Sequence, residues 1–256
     1  LLLNSDVRTS PGWLTPMRTY MDAHPETAAA QPKIHAEWAH DSFEHAGAAG
    51  GFIDRFGYPF CRGRLLNVLE KDRGQYDTVR SLFWATGAAL MVRPADWNAA
   101  GGFDARFFAH FEEIDFCWRL RARARKIVCV TDSVVYHVGG GTLPADNPRK
   151  TYLNFRNSLT MLYKNLPDDE LQHVLNVRKW LDAMAWFKFF VSGDFANAKA
   201  VRRARKDFHK WQHQFDPERK KNLENTTLFD IPERIQRSLI YAFYVQGKKT
   251  FAQFMS

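Results

Sequence analysis

The stretch "FFAHFEEIDFCWRLRARARKIVCVTDSVVYHV", Phe107 to Val138, changes its hydrophobic period halfway along. From Glu112 to Ala124 apolar residues return every three or four positions, as on one face of a helix. From Lys126 to Val138 they run close together and are rich in valine, as in a strand. A helix that feeds a strand belongs to an α/β fold. Working outward, "LLLNSDV" (1–7) and "LFWATGAALMV" (82–92) read as further strands and Pro16 to His24 as a helix. "GGGTLPADNP", Gly139 to Pro148, is a cluster of breakers, and beyond it Tyr152, Phe155, Leu159, Leu162 and Leu166 keep helical spacing. The expected organisation is an α/β part over 1–148 and a helical region over 149–256. "EHAGAAGGF", Glu44 to Phe52, lacks the strand and lysine context of a phosphate-binding loop and reads as a flexible one. Leu1 to Leu3 suits a buried parallel strand, which needs neighbours joined by crossovers, so the chain is expected to be truncated at its N-terminus.

Composition narrows the class. With 256 residues, 45% of them hydrophobic, the chain can bury one large core or two small ones. Cys61, Cys117 and Cys129 form no closed disulfide set and lack metal-type spacing, which fits a reducing compartment. No apolar run reaches the roughly 18 residues of a membrane span, so a cytoplasmic protein, soluble or peripheral at the inner face of the plasma membrane, is expected. The net charge of +8 is concentrated: between Arg178 and Lys221 there are 12 Lys or Arg against 5 Asp or Glu. That segment is either a solvated basic face or the meeting place of an anionic partner such as a membrane surface. It contains no nucleic-acid reading motif, so nucleic acid is not an expected partner.

Three carboxylates, Glu112, Glu113 and Asp115, stand at the start of the helix, where its dipole favours each by about 0.3–1 kcal/mol. At 100° per residue, Cys117, Leu120 and Ala124 lie within about 40° of Glu113, which therefore extends the apolar stripe. Glu112, Asp115, Arg119 and Arg123 share another face, where Asp115 and Arg119 at i, i+4 can pair in solvent. A buried carboxylate needs a cation, a proton or a polar cavity. Glu113 is thus a candidate general base, a cap or half of a hidden ion pair.

"NSDV" after an apolar strand, "FWATGAALMVR", "AAGGFDARFFAHFEEIDFCWRL" and "VVYHVGGGTL", in this order, resemble the family 2 glycosyltransferases of bacterial surface-polysaccharide type. "FEHAGAAGGFIDRFGYPFCRGR" and "NPRKTYLNFRNSLTMLYKNLP" extend the likeness over most of the chain. The resemblance implies the C-terminal, acceptor-binding portion of a GT-A domain, a Rossmann-like nucleotide-diphospho-sugar transferase fold, followed by the helical tail. Asn4 to Asp6 matches the family's Asp-x-Asp motif with Asn in first place, and Asp6 keeps the ligand for Mg²⁺ or Mn²⁺. His137 matches a histidine that can complete the metal site; read alone, it is a hydrogen-bonded strand histidine. Glu113 falls at the family's catalytic base, one methylene longer than the usual Asp. Gly101 to Asp104 looks like the acceptor-side turn, where Gly102 permits close approach and Asp104 can bond sugar hydroxyls, the alternative being a plain tight turn. Glu112 joins the same substrate-binding set. Where the family has Gly after the helix this chain has Ala124 and Arg125, so a less regular helix end is expected.

The implied reaction is an inverting displacement that moves a sugar from a nucleotide-sugar donor to a glycan or lipid-linked acceptor in polysaccharide synthesis, with this fragment inactive alone. The alternative is a non-catalytic scaffold of the same fold. Phe83, Trp84, Phe107, Phe108 and Phe111 read as core, although Trp84 can stack on a sugar ring. Arg62 and Arg64 face solvent or a diphosphate, and solvent is favoured. "WLDAMAWFKFFV", Trp180 to Val191, is too short to span a bilayer, so it either packs against Tyr152 to Leu166 or lies flat on a membrane.

Overall fold

The structure, a computed structural model, describes residues 1–139 and 147–256. The breaker cluster from Gly139 to Pro148 lies largely outside the described residues. Two compact units form: one from Leu1–Gly102, Phe116–Gly139 and Thr227–Ser256, the other from Phe103–Asp115 and the described part of Gly140–Thr226. The division therefore differs from the expected single cut near 148: Phe103–Asp115 joins the helical unit, and the last thirty residues return to the sheet unit.

The sheet unit runs β1 (Leu2–Leu3), β2 (Val7–Thr9), α1 (Leu14–Ala23), β3 (Thr27–Ala36), β4 (Ala39–Phe43), β5 (Gly51–Asp54), β6 (Pro59–Cys61), β7 (Arg64–Leu65), β8 (Val68–Leu69), β9 (Arg80–Ser81), β10 (Ala89–Val92) and α2 (Pro94–Ala100). α3 (Glu112–Ala122) follows, with the unit boundary inside it, and then β11 (Lys126–His137). β3 and β11 pair in parallel at the centre of a mixed sheet ordered β1-β10-β3-β11-β2, the arrangement of an α/β fold. Pro32 occupies β3 beside the register break between Val130 and Val134, where a residue without an N–H disturbs no regular ladder. α1 places Met17 and Met21 on Ala30, Val128 and Val130. The small alanines of β3 let that helix approach closely.

Two expectations change here. β1 pairs antiparallel with β10, Leu2 opposite Leu90, and Leu1 and Leu3 are exposed, so the opening leucines do not make a buried parallel strand. "EHAGAAGGF" is no flexible loop: Gly47 to Phe52 is buried, and a Cβ on Gly51 would lie 2.2 Å from the Trp84 ring. The helix end is also more regular than expected. The Ala124 N–H donates to Arg121 and the Arg125 N–H to Leu120, a complete Schellman pattern with Ala124 in the left-handed region at φ +58. An L side chain is strained there, and glycine is not. Ala124→Gly should raise stability by about 1 kcal/mol, read as a higher urea midpoint at unchanged slope. A lower midpoint would show that Ala124 is not strained.

In the second sheet β12 (Arg234–Ile235) joins β5 in parallel, in the order β12-β5-β6-β7-β8. α8 (Leu239–Tyr244) and α9 (Phe251–Met255) close over it. Phe251 and Phe254 pack against Phe60, and the Asp54 carboxylate accepts from the Leu239, Phe56 and Tyr58 N–H groups. The helical unit contains α4 (Pro148–Asn165), α5 (Asp168–Val191), α6 (Phe195–Trp211) and α7 (Asp216–Glu224). α4 packs mainly on α6.

Candidate active site residues

In the sheet unit, β2 and β11 pair Val7 with His137, which brings the Asn4–Asp6 turn beside the end of β11. The Asp6 carbonyl accepts from the Val138 N–H, and the Asp6 carboxylate lies 3.3 Å from His137 Nε2. That nitrogen is buried and makes no hydrogen bond of good geometry. On the ring's other side Nδ1 stands 3.0 Å from the Glu44 carboxylate. Burial alone would lower the His137 pKa, but the Glu44 and Asp6 carboxylates outweigh it and raise it. Burial likewise works against ionised Glu44, yet His137 and the Ala46 N–H hold its pKa below the usual carboxylate range. Glu44 thus fixes the ring and leaves Nε2 facing Asp6, as a carboxylate on the far nitrogen commonly orients a metal-binding histidine. Gly139 is needed beside it, since a Cβ there would come within 2.8 Å of Glu44 Oε1. Among the described residues no group of three or more His, Cys, Asp or Glu could by itself hold a metal.

Asn4 is exposed, with its backbone N–H on the Ala88 carbonyl. Trp84 is core: it is buried and its indole N–H donates to the Phe52 carbonyl at 2.8 Å, which leaves no open ring face for a sugar. Gly102, at φ +63, makes its close approach to Trp97, and its carbonyl accepts from Arg119. Arg62 is buried and donates to the Ala49 and Thr78 carbonyls, so it does not face solvent.

In the helical unit, Glu112 and Glu113 open α3, half-buried, and each has an Oε2 without a hydrogen-bond partner. Burial pushes the Glu112 pKa up. Burial, and then the Glu112 charge, push that of Glu113 up to about 8. Just before them Phe108, His110 and Phe111 all have positive φ, a cluster of costly backbone conformations. The Asn157 amide of α4 holds this turn by donating to the carbonyls of Phe107, Ala109 and His110, and Arg156 adds bonds to Arg106 and Phe107. Neither Asn157 nor Glu44 was singled out from the sequence. The "YLNFRNSL" period makes Arg156 and Asn157 polar residues among buried neighbours, which is the signal that could have found them.

Asp115 does not pair in solvent. It is fully buried and accepts from Lys164 at 2.8 Å and from Asn165 at 2.8 Å. Arg119, which the helical wheel also placed in solvent, is buried. Asp104 caps the short turn Ala105–Phe107 and pairs with Arg106 and Lys164. Burial opposes its charge, but these cations hold its pKa far below normal, so its oxygens are already occupied by protein donors. Phe108, read as core, is exposed, with the Arg149 guanidinium 4.6 Å from its ring centre. Beside it opens a cavity of about 590 Å³ lined by Tyr152, Arg149, Arg156, Lys199 and Arg203, among others, with no carboxylate in its wall.

No protein-family model matches the chain. The crystal structure of GalNAc-T7 with UDP, GalNAc and Mn²⁺ aligns over 84% of this chain and 39% of its own, at 12% identity and a TM-score of 0.46. Over 147 residues, 57% of its length, the chain is 26% identical to the O-antigen biosynthesis protein RfbC of Myxococcus xanthus, of which that segment is 11%. The chain thus spans a small part of this relative, and the likeness supports the resemblance to surface-polysaccharide glycosyltransferases that the motifs carry.

Proposed function

We propose that the chain supplies the acceptor-side catalytic part of an inverting, family 2 type glycosyltransferase, which moves a sugar from a nucleotide-sugar donor to a glycan or lipid-linked acceptor. The observation that carries this reading is Glu113: a carboxyl with an unbonded oxygen, a raised pKa and a strained, clamped approach, at the place where the motifs put the base. A base poised near working pH takes up a proton most effectively. Glu113 Oε2 accepts the acceptor hydroxyl proton, the hydroxyl oxygen forms a bond to the donor's anomeric carbon from the face opposite the nucleoside diphosphate, and the bond to that diphosphate breaks, the electron pair leaving with it. Attack from the opposite face inverts the anomeric centre. The cationic cavity beside Phe108 supports an acceptor that carries a phosphate or diphosphate.

Asp6 and His137 fit a Mg²⁺ or Mn²⁺ ion: a buried, unbonded imidazole nitrogen beside a carboxylate is a two-donor set, and such ions take their other ligands from water and phosphate. When bound, the cation supplies neutralisation of the charge that builds on the departing diphosphate. Calorimetric titration of Mn²⁺ with a nucleoside diphosphate present should show Asp6→Asn and His137→Ala each weakening binding by at least about tenfold, with Glu44→Gln in the range of about 10–100-fold. Unchanged binding in both ligand variants would remove the metal assignment. In a form of the protein that turns over donor, chelator should abolish transfer. A folded protein inactive with every donor, metal supplied, would instead favour the non-catalytic scaffold.

A further inference from the structure

α5 leaves one side of its apolar half facing outward, with Leu181, Ala185, Trp186 and Phe189 partly buried on the other. Trp180, Met184, Phe187 and Val191 are 72%, 64%, 58% and 63% exposed. At 100° per residue they fall within an arc of about 60° and form one stripe about 16 Å long. Phe190 and Phe195 continue it across the turn to α6, their rings 5.5 Å apart and both exposed. Of the two readings of this stretch, packing against Tyr152 to Leu166 accounts for only part of it: α5 touches α4, as where Arg178 donates to Ser158, but α4 packs mainly on α6 and the stripe stays uncovered.

The exposed charges beside the stripe on α5 are of one sign, and the carboxylate of the turn, Asp194, is engaged in capping α6 through Asn197. Lys179 and Lys188 flank it, exposed. From Lys179 to Val191 the only carboxylate is Asp182, which is fully buried between Arg178 and Arg205. On α6, Lys206 and Lys210 stand at i, i+4 and are exposed, while Lys199 and Arg203 on the same face line the cavity beside Phe108 and Arg203 pairs with Asp207. The other acidic residues of α5, Asp168 to Glu170, lie at its far end.

We propose that the α5–α6 hairpin lies flat on an anionic lipid bilayer, with the Trp180–Val191 stripe in the interfacial zone and Lys179, Lys188, Lys206 and Lys210 on the headgroups. An exposed aromatic stripe bordered by lysine is the pattern of an interfacial helix. No described helix is long and apolar enough to cross a membrane, which leaves an in-plane orientation. A second copy of the chain is the poorer occupant: two such faces would bring like charges together, and lysine is depleted from protein interfaces. The inference rests on residues other than the proposed catalytic ones.

Vesicle co-sedimentation of the 256-residue chain tests it. The protein should pellet with mixed phosphatidylcholine–phosphatidylglycerol vesicles, stay in the supernatant with phosphatidylcholine alone, and be released by salt. Lys206→Gln and Lys210→Gln should each lower partition about fivefold. Arg205 must be left intact because it holds Asp182. The double variant Trp180→Ser, Phe187→Ser should lower partition at least tenfold, with helix content and melting temperature unchanged because both side chains are exposed. Equal recovery in the supernatant with both vesicle types at low salt overturns the proposal. So does binding that survives the double variant. Self-association in sedimentation velocity that Phe187→Ser abolishes, without vesicle binding, would assign the face to a second copy. Transfer activity enters none of these readouts, so failure here leaves the glycosyltransferase reading untouched.

Discussion

In a form of the protein that turns over donor, Glu113→Gln should lower kcat by at least about 10²-fold with donor affinity retained, because general-base assistance is typically worth that much. Glutamine keeps the size of the side chain and cannot take up the proton. Transfer by the parent should rise with pH through about 8, as Glu113 loses its proton, and this limb should be missing from the variant. Stability should move the other way. In the unfolded chain Glu113 ionises near its ordinary value of 4.5, whereas the folded chain keeps the proton up to about 8. The folded state therefore binds the extra proton in that window, and stability falls as pH rises across it. The glutamine variant, always neutral, should gain stability over the parent as pH climbs, on the order of 3 kcal/mol by about pH 7, since about 2.5 pKa units lie between 4.5 and that pH and each corresponds to about 1.4 kcal/mol. Near-normal turnover together with an unchanged melting profile would refute both the role and the burial argument.

Lys164→Met should cost the helical unit about 3–5 kcal/mol, the usual effect of removing one partner from a buried ion pair. Lys164 is 2% exposed and its ammonium bridges Asp104 and the fully buried Asp115. Without it the Asp115 charge keeps Asn165 but loses its neighbouring lysine. Adding Asp115→Asn should recover part of the loss by removing the buried charge, which distinguishes desolvation from lost packing. A thermal melt followed by circular dichroism measures it, and a loss below about 1 kcal/mol in the single variant would show that the pair is not the anchor.

The elements that were legible in the sequence are those written in a local period. α1, α3 and β11 fall close to their expected places because amphipathic spacing and valine-rich runs need no knowledge of partners. Glu113 was singled out by helical angle alone, and its raised pKa agrees with that angle. What failed was pairing at a distance. His137 and Glu44 are 93 residues apart, and Asp115 finds Lys164 across 49, so the helical wheel placed Asp115 in solvent where tertiary contacts bury it. The orientation of β1 was misjudged for the same reason, since an apolar run does not state which strand it meets. The glycines of Gly47 to Gly51 looked like mobility and proved to be close approach, because the absence of a side chain serves both.

The return of the last thirty residues to the sheet unit affects how the protein is made. Phe52 and Asp54 of β5 complete their surroundings only with Phe251 and Leu239, the latter 185 residues later. At about 5–20 residues per second on the ribosome, that interval lasts roughly 10–40 s. Throughout it β5 offers an unpaired edge where β12 will later add, next to uncovered aromatic side chains. Nascent helices α4 to α7 emerge whole in that interval, while the earlier-synthesised sheet waits. Completion of this sheet therefore has to wait until the helices α4 to α7 have been made, and through that interval the open edge of β5 is a point at which the chain can mispair.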